Sequence, residues 1–399
     1  MALELPPWTP AETADEPTLE RILAKLANWG EAREWIAPDP YEGMNTAAAG
    51  LLRRSTLGRQ VVIQAYRRSP LALPWPLRAP ARANAKALGL VLSGYALPAG
   101  QALPQADAWV PRLADELESM RLPESGAWGY HFDVQTRHLY YDSRTANAVA
   151  TCFVIRGLLD AHDHGLLPDG ADAARRAGPF LESLWREHPQ FGPYFSYVAG
   201  GSELIHNANL MVCGTLARLL ASDPRPDLER RIADAAETTA RLRRDDGLWP
   251  YGERDDLTWR DNFHTAYILE GLARIHSCWG GYESVLAEAT SKWLAAFFDE
   301  TGAATYRPRR RYPVDAHSAA SAIDSLCVLT ELGGEWASLA NSAHGVAIRS
   351  VEVLWLEDKC RFAAQRNAHF LNPREFMRWT NAPMFEALSR LLSRNPALH

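Results

Sequence analysis

A short aromatic motif that recurs along the chain constrains the fold more than any other feature. It consists of an aromatic residue, one further residue and a tyrosine, close to a glycine, and it returns after roughly 55 to 65 residues, a spacing that suits one helical hairpin with its loops. The copies are Trp128-Gly-Tyr130, Phe195-Ser-Tyr197 and Trp249-Pro-Tyr251, with a degenerate copy ending at Tyr306 and a remnant at Arg361-Phe362.

Each copy stands between two helical patterns. The upstream segments, residues 109–120, 228–243 and 285–298, are amphipathic, which is typical of helices on the outside of a layered fold. The downstream segments are apolar on most faces and rich in small residues, which is typical of inner helices. These inner segments are residues 145–159, 208–220, 265–275, 318–329 and 383–392.

The N-terminal part supplies a sixth hairpin. We expect its outer helix over residues 18–28, its inner helix over residues 45–66, and a proline-rich loop over residues 69–82. Six hairpins that close into a ring make an all-α (α/α)6 toroid. We therefore predict a single domain over residues 1–399, in which the N-terminal hairpin and loop occupy 1–100 and five repeated hairpins occupy 101–399.

The charge and composition of the chain restrict the kinds of partner and the cellular location that we expect. The formal net charge of −6 disfavours nucleic acid, which usually requires a basic face. No run of eighteen apolar residues predicts a membrane span, and residues 1–16 lack the pattern of a secretory signal. Five cysteines, at positions 152, 213, 278, 327 and 360, follow no pairing pattern, so we expect a reducing, cytoplasmic location.

Polar residues collect at the starts of the predicted inner helices. In a toroid these helix starts meet at one mouth, where unpaired backbone N–H groups and partial positive charge favour a ligand. An Asp there is commonly an N-cap, whereas His is not a favoured cap, so the recurring histidines indicate a site.

We predict a catalytic set of His206, Tyr251, Glu253, Asp261, His264, Asp315 and His317. The predicted substrate-binding residues are Trp128, Tyr130, Arg144, Tyr197, Asn207, Asn209, Trp249, Asn262, Tyr267, Arg378 and Trp379.

Several strings in this region resemble bacterial surface-polysaccharide biosynthesis proteins of the VpsJ type. They are Trp128-Gly-Tyr130, Ile205-His206-Asn207-Ala208-Asn209-Leu210, Trp249-Pro-Tyr251-Gly252-Glu253, Asp261-Asn262-Phe263-His264-Thr265, the segment Tyr312 to Ala320, and Met377-Arg378-Trp379. The resemblance covers roughly residues 125–392. It implies a toroid similar to six-hairpin glycosidases and glucuronyl C5-epimerases, and a role in making exopolysaccharide or a related glycan.

Several chemistries remain open at this point. Proton abstraction beside a uronate carboxylate, as in C5-epimerases and lyases, needs a base, an acid and neutralisation of the carboxylate, which His, Tyr, Asn and Arg side chains supply. Glycoside hydrolysis needs two carboxylates, for which Glu253, Asp261 and Asp315 are candidates, with Asp142 in reserve.

Three further interpretations rank lower. The His and Asp residues would suit zinc, although no cysteine joins them, and we expect neither a metal nor another cofactor. A terpene cyclase would need an Asp-rich motif that this chain lacks, and a glycan-binding scaffold would need no His and Asp cluster. The expected partner is a saccharide, with the basic run Arg307, Arg309, Arg310 and Arg311 available for anionic groups.

Overall fold

The computed structural model describes residues 18–50, 52–69, 78–135 and 140–394. The α-helices in this part of the chain are α1 (Leu19–Glu31), α2 (Thr56–Arg68), α3 (Ala85–Ala96), α4 (Pro98–Gln101), α5 (Ala106–Ser119), α6 (Ala148–Asp163), α7 (Gly170–Arg175), α8 (Gly178–Ser183), α9 (His206–Leu220), α10 (Pro226–Arg241), α11 (Asn262–Trp279), α12 (Glu283–Phe297), α13 (Ala316–Thr330), α14 (Leu339–Leu354) and α15 (Ala382–Leu392). A 3-10 turn, Glu42–Asn45, lies between α1 and α2, and a π-turn, Met377–Asn381, precedes α15.

Six helices form a closed inner ring. Helices α3, α6, α9, α11, α13 and α15 each pack against the next, and α15 returns to α3. Helices α5, α7, α10, α12 and α14 lie outside, each on the inner helix that precedes it, while α1 packs on α15. The predicted (α/α)6 toroid is confirmed, and the N-terminal helices α1 and α3 belong to its outer and inner layers.

Burial explains which helices lie inside. Every residue of α3 is buried, whereas α10 buries one face and exposes its charged face. The inner helices approach closely at glycines: a Cβ on Gly157 would lie 2.4 Å from the backbone oxygen of Gly89 on α3. Only glycine permits this contact between α3 and α6.

A buried ionic cluster joins the inner helices below the centre of the ring. Arg156 on α6 contacts Glu270 at 2.8 Å and Asp324 at 3.1 Å, on α11 and α13. Arg390 on α15 contacts Glu386 at 2.8 Å and Asp324 at 2.5 Å. Because each of these charges is buried, removal of any one partner would leave an uncompensated charge in the core.

The predicted inner helix at 45–66 is wrong. The inner helix of the N-terminal pair is α3, because its twelve residues are apolar or small apart from one lysine and fit the closed ring. Helix α2 lies instead at the cavity mouth, where Gln60, Gln64 and Arg67 face the cavity. Residues 70–77 of the predicted proline-rich loop fall outside the described ranges, and residues 78–82 are not helical.

Short antiparallel strands shape the loops that precede the inner helices. They are β1 (Val134–Gln135), β2 (Tyr140–Tyr141), β3 (Trp185–His188), β4 (Gly192–Phe195), β5 (Val314–Asp315), β6 (Trp355–Leu356), β7 (Arg361–Phe362), β8 (Gln365–Arg366) and β9 (Leu371–Asn372). Strands β1 and β2, β3 and β4, and β6 and β7 form pairs, and β5, β8 and β9 form a three-stranded sheet. No helix in the described ranges has the length and apolar character needed to span a bilayer.

Candidate active site

The starts of the inner helices surround a cavity of about 430 Å³. Its lining is mainly aromatic and polar, and none of the described residues that line it is Asp or Glu. The lining residues are Tyr41, Gln60, Ile63, Gln64, Arg67, Lys86, Tyr130, Phe132, Val134, Gln135, Tyr141, Val149, Tyr197, Asn207, Tyr251, Leu257, Trp259, Phe263, His264, Tyr267, Tyr306, His317, Arg378 and Trp379.

His264 faces this cavity from the first turn of α11 and is oriented by Asp261. The Asp261 carboxylate caps the helix by accepting the backbone N–H of His264 at 3.0 Å, and its second oxygen lies 2.7 Å from Nδ1 of the same residue. Since an ionised carboxylate only accepts hydrogen bonds, Nδ1 is the donor, and in the neutral imidazole Nε2 therefore keeps its lone pair. This arrangement gives the cavity one histidine whose free nitrogen is a base.

His317 is the second cavity histidine, at the start of α13. Its Nδ1 lies 3.0 Å from the carbonyl oxygen of Trp379, to which it donates, so Nε2 accepts from the Tyr267 hydroxyl at 3.2 Å. The imidazole stacks on the Trp379 ring at 4.8 Å. Burial, more than any nearby charge, holds the pKa of His317 well below its usual value. The ring is therefore kept neutral in a fixed tautomer.

Aromatic rings connect the two histidines. Phe263 lies between them, with its ring 4.0 Å from that of His264 and 4.7 Å from that of His317. On the other side of His264, Tyr251 lies 4.5 Å away and stacks on Trp259 at 4.4 Å. Flat apolar faces next to fixed hydrogen-bonding groups are the usual composition of a small-molecule pocket.

The repeated motif contributes its tyrosines to the cavity. Tyr130, Tyr197, Tyr251 and the degenerate-copy Tyr306 all line it. The hydroxyls of Tyr130 and Tyr197 lie 3.2 Å apart. Burial raises the pKa of each of these tyrosines, so their hydroxyls remain protonated and available as donors.

Two other predicted binding residues also reach the cavity. Asn207 lines it, and its buried side-chain oxygen has no hydrogen-bond partner in the described ranges. Arg378 lines it too, but both its Nε and a terminal nitrogen bind Asp39, at 2.5 and 2.9 Å. Asp39 thus neutralises Arg378, whereas the oxygen of Asn207 is left for a ligand.

His206 does not share the cavity, although the sequence predicted that it would. Its ring is fully buried, with Nδ1 3.2 Å from the Thr239 hydroxyl and Nε2 2.8 Å from Glu253. Glu253 also binds Arg244 at 2.9 Å. Both side chains are bound by structural partners behind the wall, so neither lies at the cavity mouth as predicted.

Asp315, Asn209 and Asn262 support the backbone instead of a ligand. Asp315 caps α13 through the N–H of Ser318 at 2.8 Å and accepts from Gln365 at 2.7 Å. Asn209 binds the backbone of β4 and α10, and Asn262 binds the backbone oxygen of Thr305 at 3.0 Å. The polar atoms of all three are buried against the chain, so neither Asp315, predicted as catalytic, nor Asn209 and Asn262, predicted as substrate-binding, reaches the cavity.

The tryptophans of the repeated motif are core residues. Trp128 and Trp249 are 0% and 1% exposed. Their indole N–H groups donate to Leu117 on α5 and to Thr239 on α10, each at 2.7 Å. The prediction that they stack on a sugar is wrong, and so is the placement of Arg144, which is solvent-exposed and does not line the cavity.

Several cavity residues were absent from the predicted set; four of them bear on the chemistry, and two of these four carried a usable signal. Lys86 is the one charged residue of the wholly buried α3, which the sequence analysis did not assign as an inner helix. Tyr306 belongs to the degenerate repeat copy. Arg67 and Tyr41 reach the cavity only through tertiary packing of the N-terminal segment, for which no local pattern exists.

A groove of about 520 Å³ adjoins the mouth and shares Trp259 and Tyr306 with the cavity. Arg307 and Arg310 from the basic run line it. Trp259 is 44% exposed, an unusual state for a large aromatic residue, and its ring is available at the rim.

In the described ranges, the Asp and His residues considered as metal ligands bind one another or other parts of the chain. No group of three or more His, Cys, Asp and Glu residues there is placed to hold one ion. Asp261 and His264 contact each other, while Asp315 and His317 are engaged by Gln365 and by the backbone of Trp379.

Comparisons with known proteins define the fold of the chain. No family model and no curated protein matches the chain. Among solved structures, a cellobiose 2-epimerase from Bacillus thermoamylovorans B4167 superposes with a TM-score of 0.57 at 10% identity, covering 78% of this chain and 86% of that one. A polysaccharide lyase superposes at 0.59 and 10% identity, covering 95% and 97%. An unsaturated glucuronyl hydrolase specific for heparin superposes at 0.58 and 12% identity, covering 95% and 97%. These likenesses place the chain in the class of (α/α)6 toroids.

Proposed function

We propose that the protein is a carbohydrate-active enzyme that moves a proton at a carbon atom of an acidic saccharide, in a uronate C5-epimerase or lyase type of reaction. One observation carries the proposal. Two histidines with fixed tautomers, His264 and His317, face a cavity whose described lining contains two arginines, one lysine and no carboxylate. Such a cavity suits base catalysis on an anion and lacks the acid pair of a typical glycosidase.

His264 is the proposed base. Asp261 holds the proton on Nδ1 and stabilises the imidazolium that forms when Nε2 takes a proton from the carbon beside the carboxylate. The negative charge that develops spreads into the substrate carboxylate, which must therefore be held by cations or strong donors.

The proposed acid is the Tyr267 hydroxyl. Burial holds the pKa of Tyr267 well above its usual value, so the phenol keeps its proton, and His317 accepts a hydrogen bond from it. In an epimerase this hydroxyl turns from His317 and gives its proton to the opposite face of the sugar carbon, and the resulting tyrosinate regains a proton from solvent before the next turnover. In a lyase it protonates the leaving oxygen.

The proposed preference for an acidic sugar rests on Arg67. Its guanidinium lies 5.0 Å from the centroid of the Trp379 ring and 5.8 Å from that of the Tyr306 ring. In the described ranges no carboxylate lies within salt-bridge distance of it. Arg307 and Arg310 extend the positive charge to the groove at the mouth, where a second acidic sugar of a longer chain would lie.

The fold likeness supports the same chemistry. Proteins named as a cellobiose 2-epimerase and a polysaccharide lyase share this toroid. The resemblance to VpsJ-type proteins supports a role in building an exopolysaccharide or related glycan. Hydrolysis by paired carboxylates is less well supported, since Glu253, Asp261 and Asp315 are all engaged by protein groups and none lines the cavity.

Solvent isotope exchange tests the proposal. In heavy water, an epimerase should place deuterium on the uronate carbon, and a lyase should release an unsaturated ring that absorbs in the ultraviolet. A hydrolase would instead release new reducing ends without either signal, and that result across a panel of uronate oligosaccharides would overturn the proposal.

Matched variants locate the reaction. His264→Gln should abolish exchange, because the base is removed. His206→Gln is the control, since His206 starts the equivalent helix α9 but faces Thr239 and Glu253. Exchange that survives in His264→Gln and is lost in a folded His206→Gln would move the site away from this cavity.

A further inference from the structure

Lys86 occupies an unusual position on the floor of the cavity. It lies in the first turn of α3, is 3% exposed, and lines the cavity. Its Nζ lies 4.3 Å from the ring centroid of Phe153 and 5.4 Å from that of Tyr267. A lysine this deeply buried is rare unless a carboxylate accompanies it.

No carboxylate in the described ranges forms a salt bridge with Lys86. The charged and titratable groups around it, from every neighbouring element, are Asp39, Arg156, Tyr267, Glu270, His317 and Arg378. Asp39 is held by Arg378, and Glu270 is held by Arg156 and Arg274. On α15, Glu386 and Arg390 bind each other near Ser93, about two turns further along α3. The acids near Lys86 are therefore already neutralised by arginines.

The surroundings also disfavour a positive charge on this amine. Burial, followed by the charges of Arg378 and Arg156, holds the pKa of Lys86 well below its ordinary value. The start of α3 adds partial positive charge of the same sign. A bound anion would reverse this balance, because an ammonium and a carboxylate attract strongly where water is excluded.

We propose that Lys86 binds the carboxylate of an acidic saccharide at the cavity floor and takes up one proton from solvent when that saccharide enters. This inference rests on the proposed function and adds the residue that recognises the acid group. The amine becomes an ammonium, no covalent bond to the sugar forms, and the new ion pair lies beside Tyr267 and His317. Neutral sugars would bind without proton uptake.

The chain contains so few lysines that the signal of Lys86 can be observed separately. It contains four lysines, Lys25, Lys86, Lys292 and Lys359. Lys25 contacts Glu357, and Lys292 and Lys359 are solvent-exposed. Nuclear magnetic resonance of protein labelled with ¹³C at the lysine Cε carbons therefore gives four signals, and loss of one in Lys86→Arg assigns Lys86.

The expected result is a Lys86 titration midpoint below the ordinary lysine range in the free protein. Saturation with glucuronate should raise that midpoint by about one pH unit or more, whereas glucose should leave it unchanged. A midpoint that stays the same when calorimetry shows glucuronate bound would overturn the Lys86 inference and leave the proposed function standing. No binding of glucuronate or of its oligosaccharides would overturn both.

Variants give an independent arm. Lys86→Met should weaken glucuronate binding tenfold or more without changing glucose binding, and Lys86→Arg should bind glucuronate without proton uptake. Proton uptake is measured by calorimetry in two buffers of different ionisation enthalpy. Lys292→Met is the matched control and should behave as the wild type. Undiminished proton uptake in Lys86→Arg would assign the proton to another group and overturn the inference.

Discussion

The carboxylate of Asp261 serves two parts of His264 at once, because one oxygen caps the backbone N–H and the other binds Nδ1 of the ring. The same carboxylate thus caps the N-terminus of the helix and fixes the tautomer of the proposed base. This double use explains why an ordinary N-cap position and a candidate catalytic position coincide at the start of α11.

The first prediction separates these two uses. Asn is as good an N-cap as Asp, so Asp261→Asn should change the melting temperature little. An amide placed at Nδ1 would donate to it and reverse the tautomer, and turnover should fall by roughly 1,000- to 10,000-fold. Thermal denaturation and isotope exchange measure the two effects. Unchanged turnover in this variant would show that His264 is not oriented as proposed.

Sequence alone located this region because its signals are local. Cap residues, the helical period and the repeated aromatic motif each depend on neighbours within a few positions, and they led to the toroid and to His264, His317 and Tyr251. The direction of a side chain depends on tertiary packing. His206 and His264 lie at equivalent helix starts, yet the His206 ring binds Glu253 and Thr239 and does not line the cavity.

The N-terminal segment shows the same limit. Residues 45–66 were predicted to form the inner helix, whereas residues 85–96 form it in the structure. The ring accepts α3 because Gly89 allows close contact with Gly157 and because its surface is apolar. The polar residues of α2 then become cavity residues, which is why Arg67 was missed.

The second prediction concerns the two aromatic residues of one motif copy. Trp249 packs in the core and Tyr251 lines the cavity. Trp249→Ala should lower the free energy of unfolding by about 3–5 kcal/mol. Tyr251→Phe should leave stability nearly unchanged and raise KM about threefold to tenfold through a lost hydrogen bond. Urea denaturation measures the stability of both variants, and steady-state kinetics measures KM. A large loss of stability in Tyr251→Phe with little loss in Trp249→Ala would contradict the assignment of Trp249 to the core and Tyr251 to the cavity.

The third prediction concerns the buried pair of Asp39 and Arg378, which ties the N-terminal segment to the π-turn before α15. Asp39→Leu should cost about 3–5 kcal/mol of unfolding free energy, because it leaves the Arg378 charge buried and unpaired. The double variant Asp39→Leu with Arg378→Met should recover much of that loss. Denaturation of all four proteins measures the coupling, and purely additive losses would show that the pair is not energetically linked.

The last prediction concerns pH and His317. Its pKa in the folded protein is lowered, chiefly by burial, relative to the ordinary value of about 6.5 in the unfolded chain. As pH falls below about 6.5, the unfolded chain takes up a proton at this residue before the folded protein does, so wild-type stability declines by up to about 1.4 kcal/mol per pH unit from this group. The variant His317→Gln loses the contacts with Trp379 and should be less stable than the wild type at pH 8, but its deficit in unfolding free energy should shrink as the pH falls from 6.5 towards 5.

His206→Gln should show the same trend, since burial also lowers the pKa of His206. Measurement of the difference in unfolding free energy between variant and wild type cancels the titration of the acids common to both proteins. A deficit that stays constant over this range would show that His317 is protonated equally in the folded and unfolded states, and would remove the neutral histidine from the proposed site.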